Sequence, residues 1–248
     1  MQASDTESPA AIPLSPAAMA GFWIGLFACL LLMIDGPFYR MHVWGLATAL
    51  RIVLTAAMVL GIISALLSLV GFTHSGSRGI AIAGLALGSL AAGIPAMNLA
   101  IERHSPIHDV STDTNHPLQF VAVLPLRAEA NSANSTDYDM KTAQLQKETY
   151  PDIGPLHLDL PPAQAFDCAL AAAHAMRWEI VSTDPAQGRI EATATTFWFG
   201  FKDDVVVRIT SAGNGSRVDV RSLSRTGQSD IGANARRVRD YLTKVKAG

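Results

Sequence analysis

Three long apolar runs, Ala17–Ile34, Leu46–Phe72 and Ile80–Ala100, fill most of the first hundred residues, and after Glu102 the composition turns polar, charged and strand-forming. A bilayer core about 30 Å thick is crossed by roughly 20 apolar helical residues, so each run is close to a spanning length. The break predicts a flexible tail over 1–16, a three-helix transmembrane region over 17–100, a proline-rich connector opening the soluble domain over 101–160, and an α+β core over 161–248. Before Ile101 the charged side chains are Asp5, Glu7, Asp35, Arg40, Arg51 and Arg78, which leaves 16 of 19 basic and 18 of 21 acidic residues beyond it. So balanced a soluble part argues against a nucleic-acid partner, whose phosphate-facing surface would be strongly basic.

The tail preceding the first run has no Lys or Arg, and the run leads into Asp35-Gly36-Pro37 without a small-residue cleavage site, so it reads as a retained helix and not a signal peptide. Arg51 stands near the start of the second run, where its side chain can reach the interface, and Trp44 suits the headgroup layer. With no other ionisable group expected deep in a span, an ion-coupled transporter is disfavoured. The third run is rich in small residues, and Gly84 and Gly88 have the GxxxG spacing that lets helix backbones approach closely. Packing within the three-helix unit is the plainer explanation and a homodimer through Gly84/Gly88 the sharper one. Cys29 and Cys168 fall in separate regions, cannot pair, and fit no metal motif.

In the soluble region Tyr138–Tyr150 suits a short helix, and Pro161-Pro162 a helix start followed by the stripe Ala163, Phe166, Leu170, Ala173 and Met176. Trp178–Ser182 reads as a strand, Asp184–Gly188 as a turn and Arg189–Phe201 as a strand. Asp204–Thr210 and Arg217–Ser224 alternate about a turn at Ser211–Gly215, predicting an antiparallel meander with one buried face. A last helix, capped by Ser229 or Asp230, carries Ile231, Ala235, Val238, Leu242 and Val245. The fold class expected is a membrane α-helical region of three helices plus an α+β soluble domain with a curved antiparallel sheet packed on helices.

Several segments carry a resemblance. They are Ile107–Asp113, Tyr150–Ile153, Trp178–Val181, Gly188–Ala194, Asp203–Arg208, Ser216–Ser222, Ser224-Arg225 and Ser229–Ala235. Together they make residues 101–248 similar to a bacterial and plastid family of unknown function, DUF family 1499. The resemblance brings no activity with it. Some members look like exported lipoproteins or lumenal proteins, implying a domain outside the cytoplasm. The positive-inside count points the other way, with Arg40, Arg51 and Arg103 on the domain's side against Arg78. A margin of two arginines is narrow, so the expectation is a multi-pass inner-membrane protein with a periplasmic C-terminal domain, the alternative being a cytoplasmic one.

Chemistry-bearing residues are sparse. His108 and Asp109, with His104 and Asp113 nearby, offer acid–base or metal-ligand chemistry, although their spacing fits no known metal motif and turn formation explains them more simply. Asp203 and Asp204, adjacent on a strand, point to opposite faces. Arg208, Arg217, Asp219, Arg221 and Arg225 crowd neighbouring strands, as a charge ladder or, with Asp230 at a helix start, an anion site. The polar candidates are therefore His108, Asp109, Asp204, Arg208, Arg221, Arg225 and Asp230. No phosphate loop, nucleophile elbow, zinc helix motif or dinucleotide fingerprint is present, and no cofactor is expected. The leading expectation is a non-enzymatic module, anchored in the lipid bilayer, that binds a membrane or envelope protein or a lipid through its sheet face. The alternatives are a metal-dependent or acid/base hydrolase using His108, Asp109 and Asp204, and an envelope-assembly factor whose membrane helices are themselves the functional part.

Overall fold

The structure, a computed structural model, describes residues 14–104 and 107–248, with side chains described for 14–100 and 107–248. Most of the expected tail, residues 1–13, and the side chains of Arg103 and His104 lie outside the described residues. The chain divides into two compact units, the first ending at Leu99 and the second beginning at Ala100.

The first unit is three helices: α1 (Pro16–Arg40), α2 (Leu54–Phe72), entered through a π-helical turn at Thr48–Val53, and α3 (Arg78–His104). All three are long and apolar enough to cross a membrane. Their side chains are arranged opposite to those of a water-soluble bundle. Ala18, Gly21, Gly25, Ala28, Ala57, Gly61, Ser64 and Ser68 are buried, while Trp23, Phe27, Met33, Ile52, Leu66 and Met97 point outward. Small residues inside let backbones approach, and large apolar ones outside suit a hydrocarbon solvent. The Ser64 hydroxyl, in the middle, is shared between the carbonyls of Gly21 (2.7 Å) and Gly84 (3.0 Å). Gly84 and Gly88 both face inward: a Cβ on Gly84 would lie 2.8 Å from the Phe22 nitrogen, and one on Gly88 2.6 Å from the Gly61 carbonyl oxygen. The GxxxG spacing is thus used between helices of one copy. The first helix runs through Asp35-Gly36-Pro37 to Arg40, because Pro37 removes a single backbone donor near the helix end. Asp35 is consequently enclosed, an acidic group within a span where the sequence led us to expect none. Its carboxylate lies near the Trp44 indole without a hydrogen bond of good geometry to it.

The second unit is a six-stranded antiparallel sheet with helices. Its strands are β1 (Asp109–Ser111), β2 (Leu156–Leu158), β3 (Glu179–Asp184), β4 (Arg189–Thr195), β5 (Lys202–Ala212) and β6 (Gly215–Ser224), in the order β1-β6-β5-β4-β3, with β2 also paired to β6. Strands β3 to β6 form the expected meander. The connector, expected to be irregular, supplies β1 and β2, which divide the free edge of β6 between them: Asp109–Ser111 against Leu223–Arg221, and Leu156–Leu158 against Val218–Ser216. It also supplies α4 (Leu124–Glu129) and, within the short helix expected over Tyr138–Tyr150, α5 (Met140–Thr149). Strand β4 stops at Thr195 rather than at Phe201, because the Thr196 carbonyl oxygen and hydroxyl accept the Gly200 and Phe201 N–H groups and turn the chain back.

Alternation sends Ile190, Ala192, Val205, Val207, Ile209, Val218 and Val220 to one face of the sheet, which α6 (Pro162–Ala175) and α7 (Ala233–Ala247) cover. Each large side chain buried there contributes about 1.5–3 kcal/mol. Trp178 stacks on Tyr241 at 4.7 Å, and the Tyr241 hydroxyl donates to the Ala169 carbonyl at 2.9 Å, joining the two helices. The helix faces differ a little from the predicted stripes: Ala165, Ala169 and Ala172 are buried in α6 whereas Ala163 is exposed, and Asn234 and Tyr241 join the buried side of α7. The expectation of one buried sheet face is also corrected. The other face is covered as well, by residues 112–139, with Leu118, Phe120 and Val123 packed on Val206 and Leu223.

The turn before β4 depends on Gly188. Its φ is +61°, and a Cβ there would fall 2.2 Å from the Ile209 carbonyl oxygen. The left-handed conformation alone costs a residue with a Cβ about 1–2 kcal/mol. Gly188→Ala should therefore lower the domain's melting temperature in detergent by at least about 4 °C. Gly213→Ala, with a similar φ of +59° but open space around it, should cost distinctly less; equal losses would show that the backbone overlap at Gly188 does not matter.

Candidate functional site

Most of the chemistry-bearing side chains lie on the second sheet face. Asp109, Glu191, Thr193, Asp204, Arg208, Arg217, Asp219, Arg221 and Arg225 alternate with the core residues, so the strand register gathers them into one field. Residues 112–139 cross over this field as a strap, held by backbone and side-chain bonds.

Three clusters result. In the first, Arg221, fully buried, donates to Asp109 through Nε (3.0 Å) and Nη2 (2.6 Å) and to the strap carbonyls of Leu118 and Thr136 at 2.7 Å each. The Phe120 and Tyr138 rings lie against its guanidinium, at 5.0 and 5.3 Å. In the second, Asp204 accepts from Arg127 of the strap (2.7 Å), from Arg225 (2.8 Å) and from the Thr193 hydroxyl (2.9 Å). The third is half-exposed: Arg208 and Arg217 each bridge Asp113 of the strap and Asp219, at 2.8–3.1 Å. Beside them Glu191 accepts the strap N–H groups of Val121 and Val123 and the guanidinium of Arg189. Strand β1 is finished by a side chain, as Gln146 of α5 exchanges two hydrogen bonds with the Ser111 backbone (2.8 and 2.7 Å).

Burial pushes the Asp109 carboxyl up, against the opposing bonds and charge of Arg221. Burial acts the same way on Asp113, but there the His116 N–H and the Arg208 and Arg217 guanidiniums outweigh it and hold the carboxyl below the usual carboxylate value. Tyr138 is pushed up by burial and by the Asp109 charge.

The remaining candidates lie apart from this field. Asp230 accepts the Gly232 and Asn234 N–H groups (2.8 and 2.6 Å) and so caps α7, while burial raises its carboxyl. The His108 ring is bonded through Nδ1 to the Gln228 carbonyl at 3.1 Å. The structure therefore brings Asp109 together with Arg221, Asp204 with Arg225, and Arg208 with Asp219, but joins neither His108 to a carboxylate nor Asp109 to Asp204 by a bond. Asp203 points to the opposite face, as expected, and pairs with Arg237 of α7 at 2.5 Å. Among the described residues no three His, Cys, Asp or Glu side chains are grouped to hold a metal. A surface groove of about 870 Å³ runs beside the field, lined by Asn115, Tyr138, Met140 and Lys147 among others, and none of the candidate residues lines it.

Sequence reading missed Arg127, Glu191, Gln146 and Asn134, whose side-chain amide ties the strap to the carbonyls of Ser224 and Gly227. Glu191 carried one signal: it alternates with buried Ile190 and Ala192 in a strand of otherwise small and β-branched residues, where an outward carboxylate under a cover must find donors.

The family's profile, described as a protein of unknown function (DUF1499), matches residues 109–245. The chain belongs to the DUF1499 family. No curated protein matches it. The match begins at β1 and ends within α7, so the strapped sheet is the part of the chain that the DUF1499 profile covers.

Two predictions concern the strap. Arg221→Met leaves Asp109 buried without its partner and should cost about 3–5 kcal/mol in denaturant unfolding. The double variant Asp109→Leu/Arg221→Met should recover much of that loss; additive losses would mean the pair is not coupled. For pH, Asp113 has a folded pKa below its unfolded one, so its contribution is fully present above the ordinary aspartate value of about 3.9 and is lost as pH falls through the lower folded value. Asp109 carries the opposite sign. Asp113→Asn should therefore flatten the acid-side loss of amide-exchange protection in residues 112–139, and an unchanged acid limb would sink the assignment.

Proposed function

We propose that this DUF1499 chain is a membrane-anchored, non-enzymatic binding module that engages a membrane or envelope component with the outer surface of its soluble domain. The observation that carries this reading is the mutual neutralisation of the polar field. Asp109 accepts twice from Arg221, and Asp204 and Asp219 each accept from two arginines and a threonine hydroxyl, beneath or beside the strap. A general base needs a lone pair free to take a proton within reach of a substrate, and a carboxylate so saturated is a poor one. The sheet-face binding site expected from sequence is replaced by an outer-surface one, since both faces of the sheet are covered. Exposed apolar side chains, among them Val121, Met140, Phe197 and Trp198, are the kind of surface that recruits partners.

We place the chain in a bacterial inner membrane with the soluble domain on the periplasmic side. The likeness to exported family members supports this more strongly than the two-arginine margin supports the cytoplasm. Fusions at Gly248 test the side: alkaline phosphatase should be active and green fluorescent protein dark, and a fluorescent but phosphatase-inactive pair would move the domain to the cytoplasm. Binding is tested by photo-crosslinking the intact chain in its membrane, alongside a version whose three helices are exchanged for unrelated spans. The same crosslinked partner should appear with both; loss on exchange would assign the function to the helices instead.

A further inference from the structure

We infer that the turn between β4 and β5, Thr196–Phe201, is an interfacial contact that lays Phe197 and Trp198 into the phospholipid headgroup layer of the membrane holding the chain's own helices. The sequence there is Thr-Phe-Trp-Phe-Gly-Phe-Lys, four aromatic residues among six followed by a cation. The turn is built to present them. Thr196 and Phe201 close it through the Phe201 carbonyl and the Thr196 hydroxyl (both 2.8 Å), and Phe199 and Phe201 stack at 5.1 Å as its base. At the apex Phe197 is 86% exposed and Trp198 40%, and the Lys202 side chain beside them is exposed as well. Aromatic side chains with a nearby cation are what the water–lipid boundary favours: the rings settle at headgroup level and the ammonium meets phosphate.

The register of the sheet says which surface this tip meets. Asp109 pairs with Leu223, and Leu223 pairs with Asp204, so the three stand in one row across β1, β6 and β5. Strands β1 and β5 run in the same direction from that row. Ile107, where the described chain of the domain begins, and Phe201, where the tip ends, therefore leave the sheet at the same end. The last apolar span closes at Ala100, and seven residue steps reach at most about 25 Å. The chain that leads from the last span therefore enters the sheet at the end that carries the aromatic tip. The β5–β6 turn at Gly213-Asn214 lies at the far end, about 34 Å along β5. A membrane surface is the occupant that this tether supplies.

The inference deepens the proposed binding function and is tested separately from it. The full chain, with Cys29 and Cys168 replaced by Ala, is reconstituted in vesicles of phosphatidylethanolamine and phosphatidylglycerol. A small environment-sensitive fluorophore is placed at Phe197→Cys, at Lys202→Cys or at Asn214→Cys. At 197 and 202 the emission should be blue-shifted, at least twofold more quenched by shallow spin-labelled lipid than at 214, and shielded from aqueous iodide. Adding Phe197→Ser/Trp198→Ser to the Lys202→Cys chain should abolish that lipid quenching, while the far-UV circular dichroism of that variant stays unchanged. Iodide access at 197 equal to that at 214 would overturn the inference. Shielding from iodide without lipid quenching would overturn it too, pointing to a protein contact. Neither outcome bears on partner capture by the helix-exchanged chain, which tests the binding function itself.

Discussion

Asp204 is the point on which the soluble domain closes. Its carboxylate is fully buried near the start of β5, a placement whose effective penalty in a protein is several kcal/mol if uncompensated. Compensation comes from two directions at once. Arg225 reaches back from just beyond β6, and Arg127 reaches down from the strap, with the Thr193 hydroxyl filling a remaining site. Any seating of the strap that left Arg127 elsewhere would strand buried charge of both signs. Together with Arg221, whose Nη atoms hold the carbonyls of Leu118 and Thr136, Asp204 fixes how residues 112–139 lie on the sheet. The apolar contacts of Leu118, Phe120 and Val123 add area there, but apolar packing is non-directional and leaves the register to the charges.

The two units answer opposite solvation problems with opposite side-chain placements. The helical unit is built for an apolar medium, in which large side chains gain nothing by turning inward, and alanine, glycine and serine take its interior. In the sheet unit water is the competitor, and valine, isoleucine and tyrosine turn inward while arginine appears inside only with its partners. The enclosed Asp35 departs from this pattern, as a buried carboxyl group beside the Trp44 indole with no hydrogen-bond partner of good geometry.

The parts of this architecture that show in the sequence are those set by local period. The alternation of Val205, Val207 and Ile209 placed β5 and its core face, and the run length of apolar residues placed the three helices. The strap was not visible, because the short piece that holds Leu118, Phe120 and Val123 lies between Pro117 and Pro125 amid polar loops without a sustained period, and only the sheet beneath makes these residues a layer. For the same reason the arginine-rich strands read equally as a charge ladder or an anion site. Which one holds depends on Arg127, Asp113 and Glu191, which lie 77, 95 and 70 residues from their partners Asp204, Arg208 and Val121, and sequence spacing carries no information about such contacts.

The adjacent carboxylates Asp203 and Asp204 show how the fold turns a local rule into rigidity. Successive strand residues face opposite ways, so the pair cannot form one acidic site. It works instead as a clamp across the thickness of the sheet. Asp203 is bound to Arg237 of α7 on the helical face, and Asp204 to Arg127 of the strap on the other. One residue earlier the Lys202 carbonyl accepts the Arg225 N–H, and Lys202 pairs with Thr195 at the base of the aromatic turn. The strand is thus fastened to a helix, to a neighbouring strand and to the strap within three consecutive residues, directly behind Thr196–Phe201. A turn with two exposed aromatic rings gains apolar area by folding back onto its own domain. Held at its root from both faces, this one keeps its hydrogen-bonded shape and holds Phe197 and Trp198 outward.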